Sequence, residues 1–76
     1  MHSDEDVDAV GLKCPLPVLR ARKRLVPLAP GAVLRLAATD PAAVVDVPHF
    51  CAEAGHAYLG AEEGDGVTYH FIRKGG

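Results

Sequence analysis

Cys14-Pro15-Leu16-Pro17-Val18-Leu19-Arg20-Ala21-Arg22-Lys23-Arg24-Leu25 reads as one helix with a rigid beginning. The first four backbone N–H groups of a helix have no partner inside it, so Pro15 at N1 and Pro17 at N3 break no ladder bond. Proline also forces the residue before it out of the helical region. That is the backbone shape of an N-cap, and it predicts Cys14 at the cap. Val18, Ala21, Leu25 and Leu28 recur at helical spacing and bury one face, while Arg20, Lys23 and Arg24 turn outward. Pro27 and Pro30-Gly31 end the helix.

On either side of this helix the pattern changes to strand. Val7-Asp8-Ala9-Val10 alternates and stops at Gly11, giving a short first strand after an acidic segment, residues 1–6, expected to be a flexible tail. Val33-Leu34-Arg35-Leu36-Ala37 is a second strand. Thr39-Asp40-Pro41 then restarts helix, with Asp40 as N-cap and Pro41 at N1. Val44, Val47, Phe50, Cys51 and Ala54 supply its buried face and Gly55 its C-terminal cap. Pro48 interrupts it, and Asp46 is a possible cap for a restarted turn, so a kinked helix and a short turn followed by a helix both fit. Ala57–Glu62 and Val67–Arg73 flank Gly64-Asp65-Gly66, a hairpin in which Asp-Gly supplies the turn. The order is βαβαββ. Two helices cover one face of a sheet this small, so the fold expected is a two-layer α/β sandwich, of α+β type, with a four-stranded mixed sheet.

The chain has 76 residues, of which 49% are hydrophobic and 24% charged, and this leaves room for one thin core over residues 7–76. A domain of this size takes only roughly 60% of its surface out of water, so a deep cavity is not expected and chemistry should sit near the surface. Apolar runs are far shorter than the roughly 20 residues that span a bilayer, and the start is acidic rather than signal-like. The chain reads as cytoplasmic, with no membrane partner. The net charge of -2 conceals an asymmetry: Asp4, Glu5, Asp6 and Asp8 crowd the start, and Lys13, Arg20, Arg22, Lys23, Arg24 and Arg35 follow before the next acid at Asp40. One cationic segment in a mildly acidic protein suits an acidic partner surface or an anionic group rather than nucleic acid. The aromatic residues Phe50, Tyr58, Tyr69 and Phe71 form no base-stacking motif.

Two cysteines, Cys14 and Cys51, are too few for a disulfide scaffold or a Cys-pair zinc cluster. At the cap of the first helix, Cys14 would face the unpaired Leu16 N–H and the positive end of the helix dipole, with Lys13 adjacent. These neighbours predict a thiol more acidic than a free cysteine and hence a nucleophile. Cysteine caps helices poorly beside Ser, Asp or Asn, so its presence there argues for chemistry rather than structure. A thiolate exchanges sulfur without metal or organic cofactor, and the chain has no Gly-rich phosphate loop.

These residues carry a likeness to a known family. Gly11-Leu12-Lys13-Cys14-Pro15-Leu16-Pro17, Arg22-Lys23, Thr39-Asp40-Pro41, Asp46-Val47-Pro48 with Phe50-Cys51, Gly55-His56 and Ile72-Arg73-Lys74-Gly75-Gly76 resemble the TusA (SirA-like) family of small sulfur carriers, over Val7 to Gly76. The resemblance implies a βαβαββ sandwich whose motif cysteine, here Cys14, accepts sulfane sulfur as a persulfide from a cysteine desulfurase. It implies transfer onward to a downstream sulfur-relay protein, commonly for 2-thiouridine formation in tRNA. Arg22 and Asp40 fall on positions usually retained in that family.

The remaining residues have plainer readings. Arg22 lies where an aliphatic residue is expected; it either pairs with Asp40 or extends its stem to solvent. Capping alone also explains Asp40. Arg20, Lys23 and Arg24 are a solvated face or a docking face beside the thiol, and Pro15 and Pro17 hold the turn rigid. Cys51 reads as a buried inert thiol, with a resolving cysteine as the alternative. His49, Cys51 and His56 diverge on a helix and do not make a metal site. His70 reads as surface or edge. With nothing extended and apolar left over, a monomer is expected. Two other classes stay open beside a sulfur carrier: a thiol redox protein using Cys14 with Cys51, and a non-catalytic interaction module presenting the Pro-rich turn.

Overall fold

The computed structural model describes residues 2–76. Its elements run β1 (Glu5–Ala9), α1 (Leu16–Leu25), β2 (Val33–Ala38), α2 (Ala43–Ala54), β3 (Ala57–Gly64) and β4 (Val67–Arg73), the βαβαββ order expected. The sheet order is β1-β2-β4-β3. β1 lies parallel to β2, with Val7 opposite Leu36, and β4 runs antiparallel to both β2 and β3. Alternation sends Leu34, Leu36 and Ala38 of β2 to one face, where they meet Val7, Ala9 and Ile72 from the neighbouring strands and Ala21, Leu25, Ala43, Val47 and Cys51 from the helices. Both helices therefore cover a single face. The opposite face is closed by charge on aromatic surface: the Arg35 guanidinium sits 4.9 Å from the Tyr69 ring centroid and bonds Asp6 at 2.9 Å. Phe71, cross-strand from Arg35, is buried on that side.

Several boundaries differ from the sequence expectation. Glu5 and Asp6, assigned to a flexible tail, are the first residues of β1, and Met1 lies outside the described residues. Parallel pairing with β2 holds them, supported by Asp4 N–H on the Val33 carbonyl and by ion pairs from Glu5 to Arg24 and Asp6 to Arg35. α2 is one continuous helix through Pro48 rather than a turn and a helix. Proline there removes one ladder bond, and burial of Val47 and Cys51 on either side of it keeps the segment helical. Val44 and Ala54, expected inside, are exposed, and Ala43 takes the inward position instead.

Two turns match their residues closely. Asp65 and Gly66 both have positive φ, the conformation a two-residue hairpin loop requires. Gly55 is left-handed at φ 80 and its N–H reaches the Cys51 carbonyl, closing α2. The C-terminus then folds back over both helix ends. Lys74 Nζ donates to the Leu25, Val26 and Leu28 carbonyls at 2.8–3.2 Å, satisfying acceptors at the end of α1. Gly75 passes so near the Gly55 carbonyl that a Cβ would collide with it. Gly75→Ala is expected to lower the thermal midpoint, and Gly76→Ala, which meets nothing within 4 Å, is expected to leave it unchanged.

His70 is fully buried, not a surface residue, because it shares the helix-facing side of β4 with Ile72. Its Nδ1 lies 2.8 Å from the Tyr58 hydroxyl and its Nε2 has no hydrogen-bond partner. Burial holds the imidazole below its ordinary 6.5, so the folded protein keeps it neutral. The unfolded chain takes up that proton first. Stability is thus full above about pH 6.5 and declines as pH falls toward the folded value. The urea midpoint should drop between about pH 7 and about pH 5. The drop should be shallower in His70→Phe, the remainder coming from His56, whose pKa is lowered by burial and then by Lys74.

Candidate functional site

The turn between β1 and α1 presents Cys14 to solvent. The Cys14–Pro15 peptide is cis, and Pro15, not Cys14, is the N-cap residue of α1. The opening amide expected to face the sulfur is already engaged: Leu16 N–H bonds the Lys13 carbonyl at 2.8 Å. Cys14 turns instead toward the start of α2. Its N–H donates to Asp40 Oδ2 at 2.6 Å, and its Sγ–H donates to Asp46 Oδ2 at 2.7 Å.

This arrangement reverses the sequence expectation about acidity. The Asp46 hydrogen bond, followed by partial desolvation and the charges of Asp46 and Asp40, pushes the Cys14 thiol above its ordinary 9.0. Carboxylates beside a thiol stabilise the protonated form, and among the described residues no backbone amide bonds the sulfur to oppose them. From sequence Asp46 is a possible cap and part of the Asp46-Val47-Pro48 stretch that carries the family resemblance, with no role at the sulfur. No local pattern marks it, since it stands 32 residues from Cys14 and meets it only through the packing of α2 beside α1.

Asp40 does two jobs at once. One carboxylate oxygen holds the Cys14 amide and the other accepts the Ala42 N–H at 3.3 Å, fixing the turn that leads into α2. It is not the N-cap itself; that position is Ala42. It also makes no ion pair with Arg22, which is exposed along the groove between the helices. At this turn of α1 the guanidinium reaches solvent along its stem, as the alternative reading had it.

The cationic segment divides into two groups. Arg20 donates to the Asp8 carbonyl at 3.0 Å and Arg24 forks onto Glu5 at 2.9 and 3.2 Å, so both clamp α1 to β1. Lys13, Arg22 and Lys23 are exposed and make no ion pair among the described residues. Pro15 lines the site, whereas Pro17 is buried on the inner face of α1. A shallow cavity of about 260 Å³ opens beside the thiol, lined by Cys14, Pro15, Val18, Asp46, His49 and Phe50. Phe50 also lines the next cavity along the helix pair, with Arg22, Leu25 and Lys74, so the groove continues from the thiol toward the C-terminal end of α1. Cys51 lies on the other side of α2, 1% exposed, with burial pushing its thiol up to about 11. Such a thiol is inert in exchange. Among the described residues no cluster of metal-ligating side chains occurs, and no helix is long and apolar enough to cross a membrane.

Comparison with known proteins assigns the family. The sequence profile described as Sulfurtransferase TusA matches residues 5–74. The chain belongs to the TusA family. It is 45% identical over 71 residues to the sulfur carrier protein TusA of Pseudomonas entomophila, covering 93% of this chain and 89% of that protein. It is 49% identical over 65 residues to a putative sulfur carrier protein of Neisseria meningitidis, covering 86% of this chain and 88% of that one. The crystal structure of a SirA-like protein from Desulfitobacterium hafniense superposes with a TM-score of 0.66 at 28% identity, over 95% of this chain and 99% of that one. The fold and a role in sulfur transfer follow from this membership.

Asp40→Ala removes acceptors from both Cys14 N–H and Ala42 N–H and is expected to destabilise the fold by about 1–3 kcal/mol in urea titration. Asp40→Asn, which can still accept from Ala42, should lose less.

Proposed function

We propose that the chain takes sulfane sulfur onto Cys14 as a persulfide from a cysteine desulfurase and hands it to a downstream relay protein, with tRNA 2-thiouridine synthesis as the destination. The observation that carries the reading is the exposed Cys14 at the mouth of the groove between the helices, while Cys51 is sealed in the core. A carrier needs one accessible sulfur, and a disulfide redox pair needs two that can meet.

The chemistry is thiol exchange. The Cys14 sulfur, deprotonated, attacks the outer sulfur of the donor's persulfide; a bond forms between these two atoms and the donor's own S–S bond breaks. The departing donor sulfur takes up the proton lost from Cys14, so one thiol and one persulfide become one persulfide and one thiol, with no net oxidation. The second transfer repeats these steps with the carrier as donor. A shallow site suits both, because each reaction joins groups from two proteins. Lys13, Arg22 and Lys23, which make no ion pair among the described residues, are charges available for docking, and Arg20 and Arg24 are committed to β1.

Incubation with a cysteine desulfurase and cysteine should add the mass of one sulfur atom to the peptide holding Cys14. Cys14→Ser should gain nothing, and Cys51→Ser should load like the unsubstituted chain. Loss of two hydrogens with a Cys14–Cys51 link would overturn the reading in favour of a redox protein.

A further inference from the structure

The contact at the Cys14 sulfur disfavours the form of the atom that reacts. The titratable groups around it are Asp46 and His49 from α2, which line the same cavity, and Asp40 from the turn before α2, while Lys13 is the preceding residue in the chain. The first turn of α1, Leu16 to Leu19, carries no charged side chain. Lys13 makes no ion pair among the described residues, and His49 Nε2 lies 3.0 Å from Glu53 rather than on the sulfur. Among the described residues, the one group bonded to the sulfur is the Asp46 carboxylate. It can only accept, so it holds a proton on the atom it touches.

We propose that Asp46 is a positioning residue that keeps the unloaded Cys14 sulfur as a thiol, leaving the carrier quiet toward small electrophiles between encounters with its partners. This rests on the reading of Cys14 as the carrying sulfur. Reaction with alkylating or oxidising agents goes through the thiolate, whose population the carboxylate lowers. After loading, the outer sulfur stands one S–S bond, about 2 Å, beyond the atom that Asp46 holds. A persulfide anion there is repelled by Asp46 and Asp40 alike and is directed out of the groove, toward an acceptor.

The test is the rate of Cys14 alkylation by iodoacetamide against pH, read from the mass of the Cys14 peptide in the full chain, for the unsubstituted protein, Asp46→Asn and Asp46→Glu. The unsubstituted profile should have a midpoint above the ordinary thiol value of 9.0. Asp46→Asn keeps the volume and removes the charge; its midpoint should move down, with several-fold faster alkylation near neutral pH, and Asp46→Glu should restore the high midpoint. A merely structural role would change the limiting rate at high pH without moving the midpoint. An Asn midpoint equal to the unsubstituted one overturns the proposal. So does a midpoint at or below 9.0 in the unsubstituted protein, which needs no variant to fold. The assay uses neither desulfurase nor persulfide, so failure of sulfur loading and failure of the Asp46 role are read separately.

Discussion

The strand directions constrain everything else in this molecule. β4 lies between β2 and β3 and runs antiparallel to both, and β1 is parallel to β2, so β1, β2 and β3 all point the same way. A helix joining two parallel strands must return against them. α1 and α2 are therefore parallel to one another, and both begin at the same end of the sheet. Burial of Val7, Leu36, Val47 and Ile72 in one layer presses the two helices together on that face. The turn carrying Cys14 then meets the turn carrying Asp40 and the first turn of α2 carrying Asp46. A site built from residues 26 and 32 positions apart is a by-product of strand order.

The electrostatics of that meeting differ from what a lone helix would offer. A sulfur placed at a helix start with basic residues nearby is expected to ionise. Here the Leu16 amide bonds the Lys13 carbonyl, Arg20 and Arg24 reach back to β1, and the sulfur bonds a carboxylate. Short-range hydrogen bonding outweighs the diffuse field of distant exposed charges, because water's high dielectric weakens the latter and salt screens it beyond about 10 Å. A carrier that travels between proteins gains from this: its sulfur is exposed enough to be reached, yet held in the form that reacts slowly with anything else.

The C-terminal segment ties the two helix ends that lie opposite the thiol. Lys74 caps carbonyls at the end of α1, and Gly75 N–H bonds His56 Nδ1 at 3.0 Å just past the end of α2. Both contacts draw on residues that follow β4, so completing the hairpin also fixes the far end of the helix pair. Half-buried Tyr58 packs against the same core and bonds the buried His70, whose imidazole is kept neutral by burial.

The sequence by itself determined the element order, the hairpin turn at Asp65-Gly66, the left-handed close of α2 at Gly55 and the rigid, exposed setting of Cys14. Each of these is local: turn chemistry, period and proline geometry act over a few residues, and they survive any tertiary arrangement. The extra residues of β1, the burial of His70 and the choice of Ala43 over Val44 were decided by pairing and packing partners far along the chain. The partner of the Cys14 sulfur belongs to that second group. Asp46 looks like any acid in a helix's first turn, and nothing near it signals a thiol. Only the parallel stacking of α1 and α2 brings its carboxylate to the sulfur, and with it the sign of the shift in that sulfur's acidity.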